Sequence, residues 1–178
     1  ITKFGLGYAP DNWDSLLKHL RSLGFSYGEM LDAGVIKESK SNRFFDFFRN
    51  RVITPVINVR GNVIAFGGRS MQKNVDFAKY KNTKQTDLFD KSKNLFAINL
   101  ISKKKKKEGL DKIIVVEGYM DAIALHQAGF DYAVASMGTS LTKEQAKLMK
   151  RYVDKVFICY DGDSAGTKGT LRGLDILK

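Results

Sequence analysis

Ile113-Ile114-Val115-Val116-Glu117-Gly118-Tyr119-Met120-Asp121 sets four β-branched residues directly ahead of a carboxylate, a glycine and a helical pattern. A continuous apolar run of that length fits a strand buried on both faces, as in a parallel sheet. The same rhythm repeats downstream. Strands are predicted at Lys112 to Val116, Tyr132 to Ala135 and Val156 to Tyr160, and helices at Tyr119 to Ala128, Thr142 to Tyr152 and Gly166 to Leu177. Strands alternating with helices predict an α/β fold with helices covering a parallel sheet.

Such sheets bind ligands at the carboxyl ends of their strands. Glu117 follows the first predicted strand, and Asp161 and Asp163 follow the third. Asp121 falls in the first helical turn after Glu117, where it can reach the same rim or favour the helix dipole. Hard oxygen donors gathered at one rim suit magnesium rather than zinc. Acidic residues beside glycine also serve ordinary turns, so for Asp163 alone both readings stand open. The lone cysteine, Cys159, lies within a predicted strand and reads as a buried structural thiol.

Upstream the pattern is mixed. Asp11 leads into Trp13, Leu16, Leu17 and Leu20, a capped helix ending at Gly24. A second helix is predicted from Tyr27 to Ala33, closed by Gly34, and Phe4 to Pro10 reads as a loop. Val52 to Val59 and Val63 to Phe66 read as a hairpin around Arg60-Gly61-Asn62. Residues 70–94 are polar and irregular, anchored by Phe77, Tyr80 and Phe89. A short helix is expected from Leu95 to Ile101, and the run Lys103 to Lys107 reads as a solvated linker. These features predict a basic α+β subdomain over 1–107, then the α/β domain over 108–178.

The net charge of +11 is unevenly placed. Residues 1–42 are neutral, residues 43–107 carry sixteen positive and four negative side chains, and residues 108–178 carry nine and ten. A basic segment followed by acidic motifs suits a polyanion held beside a divalent cation. No apolar run is long enough to span a bilayer, and Ile1-Thr2-Lys3-Phe4 does not read as a signal peptide. One cysteine and two histidines leave no internal disulfide and no zinc cluster, which fits a cytoplasmic protein.

Val116 to Asp121 together with Tyr160-Asp161-Gly162-Asp163-Ser164-Ala165-Gly166 resembles the signature of the Toprim fold, shared by primases, topoisomerases, some nucleases and recombination mediators. Ala135-Ser136-Met137-Gly138-Thr139-Ser140-Leu141-Thr142 resembles a loop of bacterial primases. Phe48 to Ile53, Ile64 to Arg69, Lys79 to Thr83 and Thr86 to Lys91 follow the order of a DnaG-type primase core. The resemblance covers nearly the whole chain. It implies a DNA-directed RNA polymerase that makes short RNA primers on single-stranded DNA by metal-dependent nucleotidyl transfer. Glu117, Asp161 and Asp163 would hold Mg2+, replaceable by Mn2+, with Asp121 in the same acidic site. Arg69, Lys79, Tyr80, Asn82 and Lys91 match a basic ridge for the template and the RNA–DNA hybrid. Arg49 and Arg51 are weaker members of that set.

Ribonucleoside triphosphates and a replicative helicase are the other implied partners. The zinc-binding module and the helicase-binding domain of such primases find no counterpart here, nor does their further acidic motif. The resemblance therefore implies a piece of a core, and does not vouch for its activity alone. Another Toprim nuclease or topoisomerase is the nearest rival; a topoisomerase would need a nucleophilic tyrosine in a further domain, and nothing in this sequence identifies one. A non-catalytic recombination mediator would add a cysteine cluster, which is absent. A receiver-like signalling domain would leave the basic segment unexplained.

Overall fold

The computed structural model describes residues 2–72, 78–138 and 140–178. Phe77, expected as an apolar anchor, and Thr139 of the primase-like loop lie outside them. The chain folds as two compact units, Ile1–Pro55 with Ile64–Phe89, and Val56–Val63 with Asp90–Lys178.

The first unit opens with a 3-10 turn at Thr2–Phe4, and the stretch expected as a loop contains a short strand. Gly7–Ala9 (β1) pairs antiparallel with Arg51–Ile53, because three extended residues satisfy their backbone on a neighbouring strand. Helix α1, Ser15–Ser22, starts later than Asp11 suggests, and Asp14 at its cap makes no side-chain cap bond. Its first-turn donors go instead to Asp46, whose carboxylate accepts from Leu16 N at 2.8 Å and Leu17 N at 2.9 Å. A residue thirty positions away thus caps the helix. Helix α2, Tyr27–Asp32, carries a capping box between Ser26 and Glu29.

A hairpin follows, with Ile36–Glu38 (β2) against Phe44–Asp46 (β3). Arg51–Ile57 (β4), Val63–Ser70 (β5) and Tyr80–Asn82 (β6) complete a sheet of order β1-β4-β5-β6. The predicted hairpin is present, and its turn closes through Asn58 N to Asn62 O and Gly61 N to Asn58 O, with Gly61 at φ 94°. β6 lies within the stretch read as irregular, its three residues pairing with Gly67, Gly68 and Arg69.

The second unit confirms the α/β reading. Lys112–Val116 (β7) lies between Ala133–Ala135 (β8) and Lys155–Ile158 (β9) in a parallel sheet of order β8-β7-β9. Before it runs α3, Ile98–Glu108, and around it α4 (Tyr119–Gln127), α5 (Lys143–Lys150) and α6 (Ser164–Leu177). Leu95, Ile98, Ile101, Ile113, Val115, Val134 and Met149 form one core, each burial worth roughly 1.5–3 kcal/mol.

Two expectations are corrected here. The lysine run is no linker but the final turns of α3. Lysine has good helix propensity, and cations at a helix C-terminus favour the dipole. Lys104 also pairs with Glu108 and Asp131 at 2.9 Å each. Cys159 is exposed rather than buried. Along β9 the half-buried residues are Val156 and Ile158, while Phe157 is 54% exposed, so Cys159 continues its solvent-facing row.

Candidate metal centre and basic ridge

Glu117 emerges from the carboxyl end of β7, where flanking loops converge. Cys159 N donates to Val115 O at 2.8 Å, Ser136 N to Val116 O at 3.1 Å, and Gly138 N to Glu117 O at 3.2 Å. The loop after β8 reaches this point through two successive left-handed residues, Met137 at φ 64° and Gly138 at φ 77°. The half-buried Glu117 carboxylate accepts from Asp161 N at 3.2 Å, tying the ends of β7 and β9 together.

Asp163 caps α6, with Oδ1 accepting from Gly166 N at 2.8 Å. Asp121 closes the first turn of α4, with Oδ2 accepting from Gly118 N at 3.1 Å. The structure thus brings Glu117 and the Asp161 backbone together, whereas Asp121 and Asp163 are engaged as helix caps. Among the described residues no three acidic, histidine or cysteine side chains, the expected set of Glu117, Asp161 and Asp163 included, come together closely enough to hold a metal ion. Among those residues, too, no lysine or arginine forms an ion pair with Glu117, Asp121, Asp161 or Asp163. Oxygen donors left unneutralised in a chain of net charge +11 fit an open site for a hard divalent cation, of which Mg2+ is one. That ion is usually held by one or two carboxylates, with water and substrate oxygens completing its shell.

The helix bearing Asp163 approaches this rim closely. Gly166, Gly169 and Gly173 are buried along α6. A Cβ at Gly166 would lie 2.1 Å from the Asp161 carbonyl oxygen. Behind the acids, burial raises the Tyr160 phenol above its usual pKa, and the nearby Glu117 charge adds to the shift.

Lys91 belongs to the same unit. Its Nζ would stand 3.8 Å from a Cβ placed at Gly138, beside the loop bound to Glu117. Gln145 Nε2 holds Lys91 O at 3.1 Å and Asn94 O at 2.9 Å, and Thr142 Oγ1 donates to Ser92 O, so α5 pins this segment. Burial lowers the Lys91 pKa.

The other ridge residues lie in the first unit. Arg69 on β5 pairs across from Tyr80 on β6, and the Arg69 guanidinium and Lys79 Nζ each stand 5.9 Å from the Tyr80 ring centre. Tyr80 is 40% exposed, and Asn82, half-buried, follows two residues on along β6. Arg49 and Arg51 behave differently. Arg49 stacks on Trp13 at 3.5 Å and pairs with Asp11 at 3.1 Å. Arg51 is buried and donates to Gly68 O and Ala78 O at 3.2 and 2.9 Å. Lys81 and Lys37, which join these arginines near Phe47, escaped the sequence reading. The alternation of Lys79-Tyr80-Lys81-Asn82 was the available signal, had it been read as a strand.

A parallel sheet with an acidic rim at its carboxyl ends defines a class, and residues 114–178 match the family described as Toprim-like. Residues 1–102 match the family described as DNA primase catalytic core, N-terminal domain, and the chain belongs to that family. It is 49% identical to a DNA primase of Clostridium acetobutylicum over its full 178 residues, which span 29% of that relative. It is 39% identical to a DNA primase of Escherichia coli over 175 residues, covering 98% of this chain and 29% of that one. It superposes on a DNA primase domain from Pseudomonas aeruginosa with a TM-score of 0.88 at 43% identity, covering 99% of this chain and 54% of the other. A DnaG primase catalytic domain bound to ssDNA gives 0.86 at 37% identity, with 99% and 54% covered.

Proposed function

We propose that this chain supplies template binding and the acidic centre for primer synthesis, the joining of ribonucleotides on single-stranded DNA. The observation that carries this reading is the link between the Glu117 carboxylate and Asp161 N, in a chain whose relatives are DNA primases. The Toprim-like class implies a divalent metal, and we assign Mg2+, replaceable by Mn2+, to Glu117 and Asp161. When bound, such an ion lowers the pKa of an attacking hydroxyl and neutralises charge on phosphate oxygens. Asp163 and Asp121 hold α6 and α4 in place and keep the rim negative. Lys91, beside the Gly138 loop, faces the phosphates of an incoming ribonucleoside triphosphate. Primer extension forms a bond from the 3′-oxygen to the α-phosphorus, breaks the α–β phosphoanhydride, and releases pyrophosphate and the hydroxyl proton. The protein's share is positioning and charge stabilisation.

Arg69, Lys79 and Asn82 are assigned to the phosphates of template and hybrid, and Tyr80 to a stacked base. One relative of known structure, a DnaG catalytic domain, is bound to ssDNA, which supports that assignment. With Lys79→Ala, the slope of log affinity for oligo(dT) against log salt should become shallower by about 0.7, the share of one single-strand phosphate contact. An unchanged slope in a salt titration removes Lys79 from the ridge.

The function itself is tested in a chimera carrying this chain in place of the matching segment of the Clostridium acetobutylicum relative. Short RNA products from unprimed single-stranded DNA are expected with Mg2+ or Mn2+. A well-folded chimera that makes none on several templates overturns the reading.

A further inference from the structure

Below β6 the first unit holds a pocket of about 120 Å³ lined by Asp11, Trp13, Phe47, Arg49, Arg51 and Lys81, among others. Lys81 lies on β6 opposite Gly68, whose missing side chain leaves room for Phe48 and the Arg51 stem. Its ammonium donates to Phe47 O and stands 3.9 Å from the Phe47 ring centre. Lys37 from β2 stands 4.9 Å from the same ring.

Four cations therefore crowd one place: Lys37, Arg49, Arg51 and Lys81. Among the described residues two carboxylates, Asp11 and Asp46, line the pocket. Asp11 is exposed and paired with Arg49, while Asp46 is occupied by Leu16 N, Leu17 N and the Ser15 hydroxyl. Among the described residues lining the pocket, three cations stand against these two carboxylates, with Lys37 nearby across the Phe47 ring, and like charges repel strongly in a half-buried pocket. Donors remain as well. Lys81 has further N–H groups beyond the one given to Phe47, and Arg49 Nε is buried without a hydrogen-bond partner.

We propose that this pocket binds one phosphate group between Lys81 and Arg49. The proposal rests on the reading that this chain binds nucleic acid. A phosphate supplies the missing negative charge and accepts the spare donors. In the free chain, burial first and then Lys37, Arg51 and Arg49 bring the Lys81 pKa down to about 8. An adjacent anion favours the charged form and raises it again. Affinity is thus full below the free value and declines as the pH rises through it. Lys81 is about nine-tenths protonated at about pH 7 and about one-tenth at about pH 9, so the loss is on the order of tenfold.

The experiment measures fluorescence anisotropy of labelled oligo(dT) on this chain at both pH values and fixed ionic strength. Sodium tripolyphosphate is titrated in parallel. The wild type should weaken about tenfold. Lys81→Arg should hold its affinity at both pH values, because the guanidinium stays charged, and Lys81→Met should be weak at both. Identical pH profiles for the wild type and Lys81→Arg, or wild-type affinity in Lys81→Met, overturn the proposal while leaving the ridge intact. No oligo(dT) binding by any form, the wild type included, overturns both this and the nucleic-acid reading. The same Lys81-dependent profile with tripolyphosphate identifies a site that also serves free triphosphates. A profile confined to oligo(dT) identifies a strand phosphate.

Discussion

With Asp161→Asn, primer synthesis by the chimera is expected to fall by at least about 10³-fold while its DNA affinity and thermal stability stay near those of the parent. The substitution is nearly isosteric, and Asp161 supports the fold through its backbone. Its N–H serves the Glu117 carboxylate, and its carbonyl lies against Gly166. What is lost is one of two charges assigned to the metal. Several kcal/mol of transition-state charge stabilisation converts to a factor of roughly 10³ or more in rate. Gel analysis of RNA products checks the rate, and anisotropy with oligo(dT) checks the ridge. Priming retained within about tenfold (some 1.4 kcal/mol) removes Asp161 from the metal site.

Gly166→Ala should damage the same site from the other side. The added methyl group would meet Asp161 O at 2.1 Å, its carbonyl carbon at 2.9 Å and its nitrogen at 3.0 Å. All three are backbone atoms, so no side chain can swing aside. Either α6 retreats, stretching the Asp163 cap on Gly166 N, or the Asp161 loop moves away from Glu117. Overpacking of this kind costs roughly 1–3 kcal/mol. For a chain of this size that lowers Tm by roughly 2–12 °C, since each kcal/mol is worth about 2–4 °C. Divalent-metal affinity should fall at least about tenfold, because disturbing the groups that orient a metal's ligands costs roughly 10–100-fold. Thermal unfolding and a Mn2+ titration read the two effects. A variant with parental Tm and Mn2+ affinity contradicts the close approach.

The α/β half was legible because β7, buried on one face and largely covered on the other, announces itself as an uninterrupted β-branched run. Glycines and caps then marked where each helix began. The basic half was harder to read. Strands of three residues, such as β2, β3 and β6, show too little alternation to stand out. Helix α1 takes its cap from Asp46, a partner that local sequence cannot reveal. Lys103 to Lys107 looked like a linker because charge dominated the reading. Its helix was decided by Ile98 and Ile101, which enter the core, and by Lys104 bridging Glu108 and Asp131.

For the candidate site, residue types at strand ends disclosed which carboxylates to consider. They did not disclose the division of labour in which Asp121 and Asp163 spend hydrogen-bonding capacity on helix starts. Nor did they reveal that Arg51 points into the fold toward Gly68 and Ala78, with Lys81 among the cations crowding the same pocket. Both depend on which face of a strand a side chain occupies, and that follows from pairing partners far along the chain.

The most direct measurement is Mn2+ binding, followed by electron paramagnetic resonance, in this chain and its Glu117→Gln variant. The account predicts that the parent binds Mn2+ and that the variant loses it, with its thermal transition unchanged. Equal Mn2+ binding by the two proteins would contradict the assignment of the metal to the rim formed by Glu117 and Asp161.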